Sequence, residues 1–408
     1  MVEISIIGAT ITGNRGSESM YQSAIQNISV IYPDAIFNLF TYYPKKDRIN
    51  NKNDNVRILS GTPLNLAFVI TPLSIIYRIL HMFRLPTTIL EKNEDIHSLV
   101  KSDLIIDMAG ISFVDGREKY LPFNVACVTA PLMMKKKVMK YSQAMGPFNN
   151  TFNRLLAKLI LPRLNVIVAR GEITKSNLET LNLKNVVLGA DAAFSMNVNN
   201  DIDKNIKEYL RDDLFEKTVL GVSPSSVIES YCDKNNLDYV KIMAEFINYI
   251  IEVKDINVII LPHSVRKYSK KRKNNDLIVS RSIHNQIKNK DKCILIPDEL
   301  TAEELRAIIS RCDLFFASRF HAMISALSMR VPTLVCGWSH KYLEVLSMFQ
   351  LEEYAFDYKN LDIDVLIKNF ENMLEQKEII RGKLELSLPD VIASSKKNDE
   401  VVKNLLEV

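Results

Sequence analysis

The chain has 408 residues, of which 47% are hydrophobic and 25% are charged. This composition is typical of a globular protein with sizeable cores, and the length predicts about two or three domains. The net charge of +4 is small for this length, so a diffuse nucleic-acid-binding surface is not implied and we expect no nucleic-acid partner. The five cysteines are scattered singly, which argues against a zinc site or a disulfide framework.

Strand-like apolar runs alternate with helical patterns from the first residues onward. The strand-like runs of the first half are EISIIGA, AIFNLFTY, SDLIIDMAG, KKVMKYSQA, NVIVARG and NVVLGAD. A second series follows a polar stretch at residues 197–218 and contains VLGVSPSS, INVIILPH, KCILIPD, DLFFASR and PTLVCGW. This alternation predicts an α/β fold with two doubly wound, Rossmann-like domains, each a mostly parallel sheet covered by helices.

The polar stretch is the expected domain boundary, because linkers between domains are exposed and polar. We expect the first domain at residues 1–200, the second at residues 215–385, and a C-terminal tail at residues 386–408 that packs back on the first domain. The chain enters a strand directly at its N-terminus without a basic leader. This start favours a cytoplasmic protein.

Residues 64–90 form the most apolar segment, with LNLAFVITPLSIIY followed by RILHMFRLPTTIL. A proline, two arginines and a histidine interrupt it, so the uninterrupted stretch is too short for a spanning helix, which needs about 20 apolar residues. Two interpretations remain open. The segment makes an amphipathic contact with the surface of a membrane, or it forms a helical hairpin that is buried or covered by a partner.

Polar residues follow the strand-like runs, at the strand ends where open parallel sheets bind ligands. The first of these segments is GATITGNRGSESM, with Gly8, Gly13 and Gly16. It is not a Walker motif, because Asn14 stands where that motif requires lysine, and its spacing does not fit GxGxxG. We expect a tight turn that opens a helix, either as a structural element or as a loop whose free amides receive an oxygen ligand.

The pentad SRFHA at residues 318–322 lies between the apolar run LFFA and the helical pattern AMISALSM. In an extended segment alternate side chains share a side, so Arg319 and His321 can converge on one anion. The following helix would direct its free N–H groups and its positive dipole end at the same place, which favours a phosphate or a carboxylate. The alternative interpretation is a helix cap with a surface arginine.

Further basic residues stand near strand ends of the second half. His263 follows the run INVIIL, and Lys341 comes shortly after PTLVCGW. Residues 266–273 form a basic run that is either a solvated loop or a binding surface for an anion.

The order of several motifs resembles the polysaccharide pyruvyltransferase family. The motifs are TGNRGSE, DLIIDMAG, KYSQAMGPF, VARGEIT, GADAAF, VIILPH, EELRAIISRCDLFFASRFHAMISAL and VPTLVCGWSHKY. The resemblance implies a glycosyltransferase-B-like fold, with two Rossmann-like domains facing a cleft. It also implies transfer of pyruvate from phosphoenolpyruvate to a sugar of a cell-surface polysaccharide or its lipid-linked precursor, as a ketal, with release of phosphate. Neither a metal nor a cofactor is needed for that reaction.

The same resemblance implies roles for individual residues. His321 is the expected general acid and Arg319 the expected clamp for the donor, with Ser318 beside them. Arg170 is a candidate second clamp, with an ion pair to Glu172 as the alternative, and phosphate would bind His263 and Lys341. The acceptor would face three residues of the first loop, Asn14, Arg15 and Glu18, with Asp107 as a candidate base.

A lipid-linked acceptor would explain the apolar segment at residues 64–90 and would place the protein at the inner face of the cell membrane. Two other functions remain in view. The first is a glycosyltransferase that uses a nucleotide-sugar donor on the same fold, although no acidic partner for a ribose is apparent at the strand ends. The second is an inert glycan-binding descendant of the enzyme.

Overall fold

The computed structural model describes residues 1–199, 202–266, 271–272, 274–339 and 341–407. The chain divides into two compact units. The first unit comprises Met1–Thr12, Ser17–Met196 and Ile392–Val408, and the second comprises Gly13–Gly16 and Asn197–Val391. The domain limits expected from the sequence stay a prediction.

The first unit is built on a seven-stranded parallel sheet with the order β3-β2-β1-β4-β5-β6-β7. Its strands are β1 Glu3–Ile7, β2 Ile36–Thr41, β3 Val56–Ser60, β4 Leu104–Asp107, β5 Lys137–Gln143, β6 Val166–Arg170 and β7 Val186–Gly189. The four residues of β4 are all buried, as expected for a central strand with both faces covered by helices.

The second unit is built on a six-stranded parallel sheet with the order β10-β9-β8-β11-β12-β13. Its strands are β8 Val219–Ser223, β9 Asn257–Ile260, β10 Cys293–Leu295, β11 Leu314–Ala317, β12 Thr333–Gly337 and β13 Ala355–Asp357. The two sheets with their alternating helices confirm the predicted α/β class with two doubly wound sheets.

Helical segments connect the parallel strands, and side-chain caps fix the residue at which several of these helices begin. Asn150 accepts hydrogen bonds from the backbone of Phe152 and Asn153, and Thr301 forms a capping box with Glu304. The helices are α1 Arg15–Ile31, α2 Pro44–Asn50, α3 Pro63–Asn65, α4 Thr71–Met82, α5 Glu94–Lys101, α6 Leu121–Met133, α7 Thr151–Ile160, α8 Glu172–Glu179, α9 Ile202–Ile206, α10 Ser226–Lys234, α11 Tyr239–Glu252, α12 Asp276–Asn285, α13 Ala302–Ile309, α14 Phe320–Ser328, α15 Lys341–Ser347, α16 Ile363–Glu375, α17 Lys377–Ser395 and α18 Lys397–Glu407.

The strand order reverses once in each sheet. In the first unit the reversal lies between β1 and β4, and in the second unit it lies between β8 and β11. At such a point the connections leave the sheet in opposite directions, which opens a crevice beyond the carboxyl ends of the two strands where ligands bind. Arg319, at the end of the loop after β11, and His321, in the first turn of α14, both follow β11.

The apolar segment forms one continuous helix, Pro63–Met82, which corrects the prediction that its uninterrupted stretch is too short to span a membrane. Among the described residues, this helix of 20 residues is long and apolar enough to cross one, and only 17% of its apolar window is buried. Pro72 does not end it, because a π-helical turn at Leu66–Ile70 precedes the proline. There Thr71 Oγ1 donates a hydrogen bond of 2.7 Å to the carbonyl of Leu66.

Candidate active site

The side chain of Arg319 is held at the reversal point of the second sheet by a buried carboxylate. Arg319 is the extended residue before α14, and its Nε donates to Asp276 Oδ2 at 2.8 Å while Nη2 donates to Oδ1. Nη2 also donates to Ser226 Oγ at 3.2 Å. These contacts use Nε and Nη2, so the two N–H groups of Nη1 are the ones directed elsewhere.

Asp276 joins three loops that follow neighbouring strands. Its carboxylate, which is wholly buried, accepts the backbone N–H of Ser226 after β8 at 2.9 Å and that of Ser264 after β9 at 2.8 Å. Together with Arg319 after β11, these contacts place the ends of β8, β9 and β11 around one anionic group. A buried carboxylate with this many donors is a rigid support for the arginine that it binds.

His321 lies in the first turn of α14 and packs against Gly16. A methyl group at position 16 would stand 2.1 Å from His321 Nδ1 and 2.6 Å from Cγ, well inside van der Waals contact. The backbone of Gly16 is not in the left-handed region, so the glycine is required here by the imidazole and not by its φ angle. The Phe320 ring meets the imidazole edge to face, with centroids 5.1 Å apart.

Residues 13–16 belong to the second unit because they are fastened to it by polar contacts. Glu299 Oε1 accepts the backbone N–H of Gly13 at 3.0 Å and Arg15 Nη2 at 2.9 Å. Ser264 Oγ donates to the carbonyl of Gly13 at 3.2 Å. Gly13 itself has a φ of +77°, which a residue with a side chain rarely adopts. Arg15 is therefore buried among residues of the second unit, and the acceptor-facing role expected for it stays a prediction.

His263 is buried in a group of positive charges. Burial lowers its pKa well below the ordinary value, and the charges of four neighbours lower it further, namely His321, Arg319, Arg15 and Arg306. His263 is therefore a neutral imidazole near pH 7, able to donate one hydrogen bond and accept another. Within the described part of the chain no group of three or more His, Cys, Asp or Glu side chains could hold a metal ion.

Lys341, the first residue of α15, adds a further positive charge to the group around His263. Its Nζ lies 4.7 Å from the ring centroids of both Phe320 and Trp338 and 5.3 Å from that of Tyr342. These cation–π contacts hold the ammonium group beside Phe320, the neighbour of His321. Ser318 is wholly buried and accepts a hydrogen bond of 3.0 Å from Tyr239, so its contacts are those of a residue that fixes the loop.

Asp107, the candidate base, lies in the first unit and is engaged in a wholly buried ion pair. Its Oδ2 accepts Lys140 Nζ at 2.6 Å, and Oδ1 accepts the backbone N–H of Ala109 at 3.1 Å. Lys140 also donates to Ser112 and Gln143, each at 3.2 Å. Enclosure and pairing with Lys140 favour a structural role for this carboxylate over abstraction of a proton from a sugar.

Arg170, the candidate second clamp, ends β6 in the first unit. Its Nη1 donates to Asp191 Oδ2 at 3.0 Å, and both side chains are buried. The sequence offered an ion pair with Glu172 as the alternative to a clamp. The structure shows an ion pair with Asp191, and Glu172 Oε2 lies 3.7 Å from Lys175 Nζ. Glu18 is buried in the first unit, whereas Asn14 is exposed.

The structure adds three polar residues that sequence reasoning missed: Asp276, Glu299 and Arg306. An acidic residue in the first turn of a helix is common, so the position of Asp276 carried no signal. Arg306 did carry one, since the apolar periodicity of Ala302, Leu305 and Ile309 puts position 306 on the buried side of α13. The basic run lies partly outside the described residues, namely at 267–270 and 273, and within it Arg272 pairs with the buried Glu229.

Two Rossmann-like units, one of them with a cationic group at its reversal point, define the glycosyltransferase-B-like class, and solved structures support that class. The chain is similar to a putative UDP-N-acetylglucosamine 2-epimerase from Listeria monocytogenes, with 13% identity, a TM-score of 0.62 and coverage of 98% of this chain and 94% of the other. It is also similar to Alr3699/HepE of Anabaena in complex with UDP and glucose, with 10% identity, a TM-score of 0.58 and full coverage of both chains. At these identities the likeness concerns the fold.

The family model for polysaccharide pyruvyl transferase matches residues 14–340, and the chain belongs to that family. The amylovoran biosynthesis protein AmsJ of Erwinia amylovora is 24% identical over 314 residues, which are 75% of this chain and 74% of AmsJ. The resemblance read from the motifs is confirmed. The chain is accordingly a polysaccharide-modifying transferase.

Proposed function

We propose that the protein transfers pyruvate from phosphoenolpyruvate to two hydroxyl groups of one sugar in a cell-surface polysaccharide or its lipid-linked precursor. The products are a pyruvate ketal and phosphate. The observation that carries this proposal is the pair Arg319 and His321 at the reversal point of the second sheet, with Arg15, His263 and Arg306 around it. Membership in the pyruvyl transferase family supports the same reaction.

Phosphoenolpyruvate carries a carboxylate and a phosphate on one enol carbon, so its binding site requires cations in fixed positions. Arg319 offers the N–H groups of Nη1, while Asp276 fixes the orientation of its guanidinium. The neutral His263 offers a hydrogen bond without adding to the repulsion among the arginines. Lys341, held between aromatic rings, is a further candidate for contact with the phosphate.

His321 is the proposed general acid. It gives a proton to the methylene carbon, which becomes a methyl group, and the neighbouring carbon becomes electron-deficient like an oxocarbenium ion. A first sugar hydroxyl adds to that carbon, phosphate departs, and a second hydroxyl closes the ketal. One hydroxyl proton restores His321 and the other leaves with phosphate, so that protons balance over the cycle.

The charge of His321 depends on its surroundings in the cycle. The N-terminus of α14 disfavours an imidazolium ion, whereas an adjacent donor with several negative charges favours it. Full charges at contact distance outweigh the partial charge of a helix end, so the proposed mechanism makes His321 an acid once the donor is bound. A lipid-linked acceptor lies at a membrane, so contact of residues 64–90 with that membrane would bring the protein to its acceptor.

The test is release of phosphate from phosphoenolpyruvate together with mass detection of a glycan that gains one pyruvate ketal. His321→Ala and Arg319→Ala should abolish both signals, and His97→Ala, an exposed histidine of the first unit, should retain them. Normal turnover by the first two variants would end the assignment. Turnover of a nucleotide sugar in place of phosphoenolpyruvate would support the glycosyltransferase instead.

A binding readout separates the donor from the reaction. Trp338 is the single tryptophan of the chain, and Lys341 Nζ lies 4.7 Å from its ring. Phosphoenolpyruvate that draws the ammonium group away should change the tryptophan emission, and Lys341→Met should remove most of that change. An emission that responds to nucleotide sugars alone would contradict the proposed donor.

A further inference from the structure

The first unit presents an outward helix face that is apolar along its whole length. On the helix Pro63–Met82 and the residues after it, the exposed large side chains are Leu64, Phe68, Val69, Ile75, Ile76, Ile79, Met82, Phe83, Leu85 and Ile89. Phe68 is 75% exposed and Ile89 is 70% exposed. A helix that is apolar on both its inner and its outer side is found inside a large core or against lipid.

A second helix of the same unit shows a smaller face of this kind. On α7 the side chains of Phe152, Leu155 and Leu159 are each more than half exposed, at 60%, 62% and 52%. Their spacing of three and four residues puts them on one side of the helix. We call these three residues, together with the exposed apolar residues on and after the helix Pro63–Met82, the apolar face.

Both helices lie in one layer of the unit. The helix Pro63–Met82 and α7 each pack against α6. Their inner sides join one hydrophobic core, to which Leu66 and Ile70 contribute from the first helix and Ala157 and Ile160 from α7. The inner side of Pro63–Met82 is therefore part of the folded unit. The helix can rest on a bilayer in this state, whereas spanning a bilayer would expose that part of the core.

The two segments that carry the apolar face contain charged residues of one sign only. Residues 56–90 and 148–163 contain six arginines and lysines and no aspartate or glutamate, although the whole chain has a net charge of only +4. The remaining residues thus carry a net charge of −2. Three carboxylates from outside these segments lie beside them, and each is hydrogen-bonded: Glu91 by Thr87, Asp95 by Asn65, and Asp115 by the backbone of Asn149 and Asn150. Arg84, Arg154 and Lys158 are exposed. Basic side chains beside exposed apolar ones suit a bilayer that contains anionic lipid.

This charge pattern argues against a second copy of the chain as the occupant. A symmetric dimer would bring the same residues face to face across its axis. The arginines and lysines of the two segments would then meet each other, while the carboxylates beside the segments are already engaged, Asp95 by Asn65 and Asp115 by the backbone of Asn149 and Asn150. An anionic bilayer supplies both the missing charge and an apolar layer.

We infer that the apolar face docks the protein on the surface of an anionic lipid bilayer. The inference deepens the proposed function, because it rests on a lipid-linked glycan as the reason for docking. The face itself contains none of the residues assigned to the donor. Loss of docking should therefore leave turnover of a water-soluble acceptor unchanged.

Co-sedimentation with liposomes tests the inference in the absence of donor and acceptor. The vesicles contain phosphatidylcholine alone or with about 30% phosphatidylglycerol. Wild-type protein should bind the anionic vesicles, and binding should weaken at high salt. Phe68→Ser/Ile75→Ser/Ile79→Ser and Phe152→Ser/Leu155→Ser/Leu159→Ser should each lower the bound fraction about tenfold. The matched control Val30→Ser/Val253→Ser/Leu386→Ser replaces three exposed apolar side chains elsewhere and should bind like wild type.

Equal binding of wild type and both face variants would overturn the inference, as would failure of wild type to bind anionic vesicles. Light scattering would overturn it too if the wild type is a dimer and the face variants are monomers, because a second copy would then cover the face. Circular dichroism should show all variants folded, since every replaced side chain is exposed. Phosphate release in solution tests the proposed reaction separately, so failure of docking and failure of catalysis are distinguishable.

Discussion

The contact between Gly16 and His321 allows the position of the proposed acid to be changed without touching it. In Gly16→Ala the new methyl group would stand 2.1 Å from Nδ1, where ordinary contact begins at 3.4 Å, so the imidazole has to move by about 1.3 Å. A misplacement of about 1 Å at a reacting group can cost about a hundredfold in rate. We expect Gly16→Ala to lower the turnover of phosphoenolpyruvate by about that factor. The backbone should tolerate the change, because Gly16 lies in α1 and alanine is the better helix former.

Steady-state phosphate release measures this effect, and the histidine ring resonances in nuclear magnetic resonance spectra show whether the imidazole has moved. Gly382→Ala is the matched control, because it is another helical glycine of the second unit and a methyl group there meets nothing within 4 Å. Full activity of Gly16→Ala, or a loss of activity without any shift of the histidine ring resonances, would refute the reasoning.

Three predictions concern buried charges and are measured by urea unfolding. Asp276→Asn leaves Arg319 without its carboxylate, so the free energy of unfolding should fall by about 3 kcal/mol; a change below about 0.5 kcal/mol would show that the pair is dispensable. Because the pKa of His263 is lower in the folded state, the unfolded state binds the proton more strongly, and stability should fall as the pH drops below about 6.5 with a limiting slope of about 1.4 kcal/mol per pH unit. His263→Gln should lose less stability than wild type over that range, and parallel pH profiles would count against this assignment. Asp107→Asn should lower the free energy of unfolding by about 3 kcal/mol, and Asp107→Asn/Lys140→Met should recover most of that loss. A stable double variant that releases no phosphate would support Asp107 as the candidate base.

The apolar helix shows where local sequence rules fail. Pro72 and the arginine and histidine near it suggested a broken segment, because proline lacks the N–H that an α-helix needs. The π-helical turn before it and the hydroxyl of Thr71 remove that need, and neither is visible in the apolar pattern. The sequence left open whether this segment contacts a membrane or is buried or covered by a partner. The outer side of the helix is exposed on its own chain, and the surface that covers it is the subject of the proposal above.

The candidate site was predictable where it depends on chain order and not where it depends on long-range pairing. Arg319 and His321 were found because an apolar run before them and a helical pattern after them mark a strand end. The carboxylates that hold the arginines of the site come from far along the chain. Asp276 is 43 residues from Arg319, and Glu299 is 284 residues from Arg15, so no local pattern connects them.

Sequence alone determined the alternation of strands and helices, the two parallel sheets and the family, since each follows from apolar periodicity and from the order of motifs along the chain. Tertiary structure decided which carboxylate holds each arginine, that Gly16 makes room for an imidazole, and that Asp107 is enclosed with a lysine. The physical reason is that periodicity reports burial, whereas the pairing of charges depends on which strand ends meet. That meeting is set by the order of strands in the folded sheet.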